Sequence, residues 1–379
     1  MKRTPLEYGT LACETMMHRY APQDLPPKGA LFYIQGVFLD GMQRIWRLNR
    51  DPKLIQYVKD YVDSVIALDG SLYGINHDLP LPEGTSYQLR ALTMLDCKQP
   101  SVLFYDLYDE YGEEKYLKAA KTIAESMYYY PVNWYGGYWH MMTQPYQMWL
   151  DGAYMAGPFS ILYSRRFGDN TLMERAVQQI FLMEEHMKDE KTGLYYHGWD
   201  DSKKERWADP ETGLSGQFWA RAMGWYTLAI VDIMDLLPKN HPALERLARI
   251  ERELLTSLAK YQDEESGLWY QVLDKPKKEG NWLETSCSCL FAYSYAKAIR
   301  KGILGEEYAA VLEKAWHGIE DILSFDDEGH LVIPDICLGA CIYDGSYEYY
   351  ISRPKGPNDL HGVGAFLMLC AELELGRRG

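Results

Sequence analysis

Asp189-Glu190-Lys191-Thr192-Gly193-Leu194-Tyr195-Tyr196-His197 is echoed later in the chain by Asp263-Glu264-Glu265-Ser266-Gly267-Leu268-Trp269-Tyr270-Gln271. Weaker copies are Asp69-Gly70-Ser71-Leu72-Tyr73, Gly136-Gly137-Tyr138-Trp139-His140 and Asp327-Glu328-Gly329-His330-Leu331. The glycines at 70, 137, 193, 267 and 329 stand 67, 56, 74 and 62 residues apart. A period of this kind marks an array of equivalent units.

Between the copies the patterning is helical. Apolar residues recur at helical spacing near 5–19, 31–48, 52–67, 99–111, 113–128, 148–167, 170–187, 216–237, 241–261, 284–301, 306–323 and 360–375, about twelve helices with no run of alternating strands. Two helices and a glycine–aromatic connection per repeat predict an all-α (α/α)6 barrel, an inner ring of helices wrapped by an outer one. A closed ring accounts for residues 1–379 as a single domain, and no Pro/Gly/Ser-rich boundary divides them. An open solenoid is the alternative, but it does not need such turns gathered at one end. In a closed ring the aromatic tips converge, so Trp139, His140, Tyr195, Tyr196, His197, Trp269 and Tyr270 either line one cavity or plug the end of the barrel as core.

A hydrophobic share of 47% supports a large core, and 31 Tyr with 11 Trp suit either that core or a groove that stacks sugars. The net charge of −15 argues against nucleic acid or an anionic membrane as partner, while leaving room for a small anionic substrate held by a local Arg. Met1-Lys2-Arg3-Thr4-Pro5-Leu6-Glu7-Tyr8 has no signal-peptide run and nothing later is long enough for a membrane span, so a cytoplasmic location is expected. The seven cysteines are then expected to be reduced. Cys287-Ser288-Cys289 and Cys337-Leu338-Gly339-Ala340-Cys341 lie in apolar surroundings without nearby His, which favours buried thiols over metal ligands. No nucleophile elbow, P-loop or His-Glu-x-x-His segment is present, so neither cofactor nor metal is expected. His361-Gly362-Val363-Gly364 lacks the third glycine of a dinucleotide fingerprint and reads as close packing at a helix start. His186, His241 and His317 read as ordinary helix residues.

Three stretches hold candidate chemistry. Asp151 sits among Met148, Trp149, Leu150, Ala153 and Met155, a setting that disfavours a charged carboxylate and would raise its pKa towards that of a general acid. The alternative is a capping residue, with Pro158 as the first residue of the helix that follows. In Gln217-Phe218-Trp219-Ala220-Arg221-Ala222-Met223-Gly224-Trp225-Tyr226, Arg221 is four residues from both Gln217 and Trp225, so one helical face carries all three. Such an Arg is either a carboxylate fork or a cation–π packing contact. Asp96, in Met94-Leu95-Asp96-Cys97-Lys98-Gln99-Pro100, precedes a helix and is a third candidate for the same mouth.

Three motifs together, Pro145-Tyr146-Gln147-Met148-Trp149-Leu150-Asp151-Gly152-Ala153-Tyr154-Met155, Phe218-Trp219-Ala220-Arg221-Ala222-Met223-Gly224-Trp225-Tyr226 and Asn358-Asp359-Leu360-His361-Gly362-Val363-Gly364-Ala365-Phe366-Leu367, resemble glycoside hydrolase family 105. The likeness runs from about Tyr33 to about Glu372 with the motifs in family order. It implies an unsaturated rhamnogalacturonyl hydrolase with an (α/α)6 barrel. Asp151 is then the general acid and base, and Asp96, His140, His197, Trp219, Arg221 and Trp225 line the site of the unsaturated sugar. The family tends to carry Lys after the His of its Trp-His segment, whereas Met141 follows Trp139-His140 here, so the resemblance is uninformative about the sugar beyond the cleaved bond.

The chemistry implied is proton delivery by Asp151 to C4 of a C4=C5 vinyl ether, water addition at C5 and collapse of the hemiketal. One carboxylate suffices, unlike the pair used by ordinary glycosidases. The expected partner is an unsaturated uronate-containing oligosaccharide. The runner-up is an unsaturated glucuronyl hydrolase acting on glycosaminoglycan or other polyuronate fragments. A sugar 2-epimerase, which needs His acid–base partners, and a non-catalytic sugar-binding protein are the readings from other classes.

Overall fold

A computed structural model describes residues 3–29, 31–72 and 92–378; Tyr73, the last residue of one weak repeat copy, lies outside them. Twelve long helices and one short one are described: α1 Pro5–Arg19, α2 Tyr33–Asn49, α3 Pro52–Val65, α4 Leu103–Tyr111, α5 Glu114–Tyr128, α6 Gly152–Phe167, α7 Thr171–Met187, α8 Ala220–Leu236, α9 Leu244–Ala259, α10 Thr285–Arg300, α11 Ala309–Ile322, α12 Tyr347–Ile351 and α13 Leu360–Arg378. The short one is α12.

Each inner helix packs on the next round the ring, α2 on the 3₁₀ turn before α4, then α6, α8, α10, α13 and back to α2, while α3, α5, α7, α9, α11 and α1 back them from outside. This is the (α/α)6 toroid expected from the repeat. Helix composition sorts the two rings. Ala220 to Ile233 of α8 and Thr285 to Ala298 of α10 are buried without interruption, whereas α9 buries Leu247, Ile250, Leu254, Leu255 and Leu258 along one stripe. The ring closes where α2 meets α13. A Cβ on Gly41 would lie 2.8 Å from the Gly364 oxygen, and one on Gly364 would lie 2.5 Å from the Val37 oxygen, so these two helices touch backbone to backbone only because both positions are glycine.

The connections differ between the two ends. From inner helix to outer they are short, as at residues 50–51, 112–113 and 168–170, with Arg50, Gly112 and Gly168 in left-handed caps. From outer helix back to inner they run long, over 129–151, 188–219 and 260–284. Here lie the repeat turns. Asp189 and Asp263 each accept backbone hydrogen bonds from the following residues, and Gly193 (φ 71°) and Gly267 (φ 75°) take the left-handed conformation that closes the turn. Asp209-Pro210-Glu211-Thr212-Gly213-Leu214 makes the same turn, with Gly213 at φ 83° and Asp209 accepting from Glu211 and Thr212, a copy missed in the sequence because it falls inside one connection.

Among the described residues strands, absent from the sequence reading, occur as three two-stranded pieces in the connections and at their edges. They are β1 Gln147–Trp149 with β2 Gly198–Asp200, β3 Ser324–Phe325 with β4 Leu331–Val332, and β5 Ile336–Cys337 with β6 Lys355–Gly356. Each is too short to show an alternating pattern. Among the described residues no helix is long and apolar enough to cross a membrane. Cys287, Cys289 and Cys337 are buried as expected, but Cys341 is exposed, in a connection outside the helices, with its thiol against the Tyr349 hydroxyl at 3.2 Å.

Candidate active site

Backbone hydrogen bonds assemble the site before any side chain does. β1 pairs antiparallel with β2, Met148 opposite Trp199, which lays the approach to Asp151 beside the strand that follows His197. The His140 N–H donates to the Gln147 carbonyl (2.8 Å), the Leu150 N–H to the His197 carbonyl (3.0 Å) and the Leu95 N–H to the His140 carbonyl (3.0 Å). These bonds bring Asp96, His140, Asp151 and His197, contributed by three connections, to one mouth where the inner helices begin. Tyr33, Asp151, Trp219, Arg221, Glu284 and His361 all stand at or next to the first residue of an inner helix. Helix N-termini favour negative charge, so the mouth suits an anion despite the acidic chain.

Asp151 precedes α6 with helical backbone angles and its side chain makes no cap bond, so capping does not account for it. Its Oδ2 stands 3.2 Å from His197 Nε2 without a well-aligned hydrogen bond, and is otherwise unpartnered. Its pKa departs from the sequence expectation. Burial pushes it up, but contact with His197 and the field of His140 outweigh burial, leaving the carboxyl below its ordinary range. Burial pushes His197 down towards the neutral form despite Asp151. Its Nδ1 lies 2.7 Å from the Tyr350 hydroxyl, which suits a neutral ring accepting from Tyr350 and turning Nε2–H to Asp151.

On the other side, His140 Nε2 meets Asp96 Oδ1 at 3.3 Å. Burial lowers His140, but the Asp96 charge and contact prevail and raise it overall. Its ring stacks on Trp149 at 4.4 Å and 11°. His197 packs against the edge of the same Trp149 at 5.5 Å, so one indole spaces the two imidazoles.

Arg221 lies over the Trp219 ring at 4.8 Å. It is 1% exposed, donates from Nη1 to the Cys337 carbonyl and contacts His361 Nε2, yet its Nε and Nη2 have no partner. His361 Nδ1 in turn contacts Asp359 Oδ1. Since a guanidinium only donates, His361 must offer Nε2 as acceptor and carry its proton on Nδ1, facing Asp359. The chain Asp359–His361–Arg221 thereby fixes the guanidinium, a role for His361 beyond packing. Trp225 stacks on Tyr154 at 5.3 Å and meets Tyr33 edge-on at 6.4 Å.

All seven expected site residues thus fall at one mouth, but several neighbouring expectations fail. Gln217 precedes α8 and pairs with Lys275 (2.8 Å), so it shares no helical face with Arg221. Pro158 lies inside α6, because the helix already starts at Gly152. Tyr195 and Trp269 point into the core, against Tyr226 and Phe291, since residues so close to a turn alternate direction. Tyr33, Tyr350 and Asp359 were missed. Tyr33 feels Arg221, Asp96, Asp359 and Asp151 together and packs 6.1 Å from His361, yet only an Asp–x–His spacing at 359–361 hinted at any of the three.

Residues 9–375 match the family model described as Glycosyl Hydrolase Family 88. A solved glycoside hydrolase of family 105 from C. acetobutylicum is 33% identical, covers 97% of this chain and 99% of its own, and superposes with a TM-score of 0.89. The unsaturated rhamnogalacturonyl hydrolase YesR of Bacillus subtilis is 28% identical over 221 residues, 57% of this chain and 59% of that protein. An unsaturated glucuronyl hydrolase specific for heparin shares the fold at 11% identity and a TM-score of 0.71, covering 98% of this chain and 97% of its own. The chain therefore belongs to the group formed by glycoside hydrolase families 88 and 105, and is a glycosidase of the unsaturated glycuronyl hydrolase type.

Proposed function

We propose that the protein removes a C4=C5-unsaturated galacturonyl residue from the non-reducing end of rhamnogalacturonan-derived oligosaccharides, with Asp151 as proton donor and then base. The observation that carries this is Arg221, a buried guanidinium with two unpartnered nitrogens in the electrostatic range of Asp151. A buried cation without a carboxylate partner is costly unless a ligand supplies one. The uronate carboxylate is that ligand, with Trp219 and Trp225 bounding its ring.

The low pKa of Asp151 is set by the protein's own groups alone. A bound uronate brings a second carboxylate into the same low-dielectric mouth, and like charges raise the pKa of one of them. Substrate therefore promotes the protonated Asp151 that the reaction needs. The proton passes to C4 and positive charge develops at C5. Asp151, again a carboxylate, takes a proton from the water that adds there; the hemiketal opens at its ring C5–O5 bond to a C5 ketone, and the hemiacetal left at C1 breaks down to an aldehyde, releasing the partner sugar as its alcohol. His197, oriented by Tyr350, holds Asp151 in place, and His140 with Asp96 completes the polar wall.

Galacturonate on a rhamnose partner is favoured over a glycosaminoglycan fragment by the family 105 structure at 33% identity and by the rhamnogalacturonyl name of one relative. The test compares loss of the conjugated double bond's ultraviolet absorbance on unsaturated rhamnogalacturonan and glycosaminoglycan disaccharides. A higher kcat/KM on the glycosaminoglycan fragment overturns the substrate assignment, and turnover by Asp151→Asn within about tenfold of the parent overturns the mechanism.

A further inference from the structure

His18, in the last turn of α1, stacks its ring on His330 at 4.4 Å and 26°. Glu328 lies between them, its Oε2 3.8 Å from His18 Nε2 and 3.6 Å from His330 Nδ1. Asp326 adds a second carboxylate, Oδ2 at 3.4 Å from the same His330 nitrogen. One donor atom each from His18, Glu328 and His330 falls within 4.8 Å of the other two. His18 Nε2 and His330 Nδ1 thus both approach the one Glu328 carboxylate.

We propose that His18, Glu328 and His330 form a binding site for a borderline divalent transition metal such as Zn²⁺, with Asp326 as fourth ligand or as hydrogen-bond partner of His330. Two imidazoles and a carboxylate suit zinc and its neighbours, whereas Ca²⁺ and Mg²⁺ prefer oxygen-only shells. Tetrahedral zinc places its ligand atoms about 3.3 Å apart, a few tenths of an ångström closer than the 3.6 and 3.8 Å of the two His–Glu328 pairs. The turn is also prepared for this. Asp326 Oδ1 accepts the Glu328 N–H (3.1 Å) and the His330 N–H (2.8 Å), and the Leu331 N–H donates to Thr15 Oγ1 of α1 (3.1 Å). A metal here would staple α1 to the connection that follows α11. None of its ligands contributes to the Asp151 mouth, so its effect is on stability and not on chemistry.

The test uses the full chain stripped with a chelator and titrated with ZnCl₂ by calorimetry. One saturable site per chain is expected, weakened at least ~10-fold in each of His330→Ala and Glu328→Gln. Zinc should raise the Tm of the parent chain and leave that of the variants unmoved, while Mg²⁺ does neither. Co²⁺ should give the visible absorption of a tetrahedral site. Absence of saturable binding, or binding equally strong in the variants, overturns the proposal. His18→Asn supplies a second lesion if His330→Ala loses its circular dichroism spectrum, since His18 is 65% exposed.

Discussion

Two arginines, the partly buried Arg44 towards one end of the barrel and the buried Arg221 towards the other, are treated in opposite ways. Arg44 on α2 is fully engaged. Its Nη2 donates to Asp40 (3.0 Å) and Asp232 (2.7 Å), Nε to Asp40 (3.4 Å) and Nη1 to Tyr293 (2.5 Å), while Lys297 donates to Asp232 (2.7 Å). Arg221 has neighbours but no carboxylate, and the nitrogens left over belong to a group of unpartnered buried atoms that also includes Asp151 Oδ2, His197 Nε2, His140 Nδ1 and Trp219 Nε1. The end with short connections has its charges satisfied by the protein; the end with long connections leaves them for something else to satisfy. Paired charge marks architecture, and orphaned charge marks the site.

The largest effect expected is on chemistry. Asp151→Asn should lower kcat by roughly 10²–10⁴-fold with an unchanged Tm, measured by loss of ultraviolet absorbance and by calorimetry. At the other end, Asp232→Asn removes the carboxylate that Arg44 and Lys297 share, leaving Asp40 to Arg44 and Asp235 to Lys297. It should cost about 3–5 kcal/mol in urea unfolding, and the surviving folded fraction should retain its KM. Arg221→Met sharpens the contrast: it removes a buried cation that pairs with no protein carboxylate at contact distance, so stability should hold or rise while KM increases at least ~10-fold. A marked loss of stability in Arg221→Met would break the distinction between the two ends.

pH separates the same groups by sign. Asp232 is pushed up by burial, but Arg44 and Lys297 hold it far below its unfolded value near 3.9. Its stabilisation is thus present above that value and lost as pH falls through the folded pKa, so acid unfolding of the parent should be steeper than that of Asp232→Asn. His140 has the opposite sign. Its pKa is raised overall, so its contribution is present below about 6.5 and lost as pH rises through the folded value. Asp96→Asn should move the His140 titration, followed by NMR, to lower pH. This is the smallest effect of the set.

The sequence disclosed the helices, the repeat turns and the residues with a local signature, because period, glycine spacing and apolar context are all short-range. Asp151 stood out by its neighbours alone. What it did not disclose depends on distance. The direction of the Asp151 pKa is decided by His197, which lies 46 residues away and reaches it through the β1–β2 pairing. Tyr33 comes from the start of a helix whose own pattern says only that it is a helix, and Tyr350 from a five-residue helix, Tyr347–Ile351, too short to show a period. Tyr195 and Trp269 were placed at the mouth by the repeat, but the turn's register directs them inward, and no count of spacing distinguishes the two.

The backbone contact of α2 with α13 at Gly41 and Gly364 has a kinetic side. Tyr33 and His361, neighbours at 6.1 Å, belong to the first and last inner helices, so they meet only when the ring shuts. A nascent chain emerging from the ribosome would carry Asp151, His197 and Arg221 well before His361 exists to hold the guanidinium. Closure depends on contacts separated by over three hundred residues, the sort of step that is slow and late. Substrate recognition should accordingly be among the last properties acquired in refolding, lagging behind recovery of helical signal. Gly364→Ala, which wedges the seam, should widen that lag.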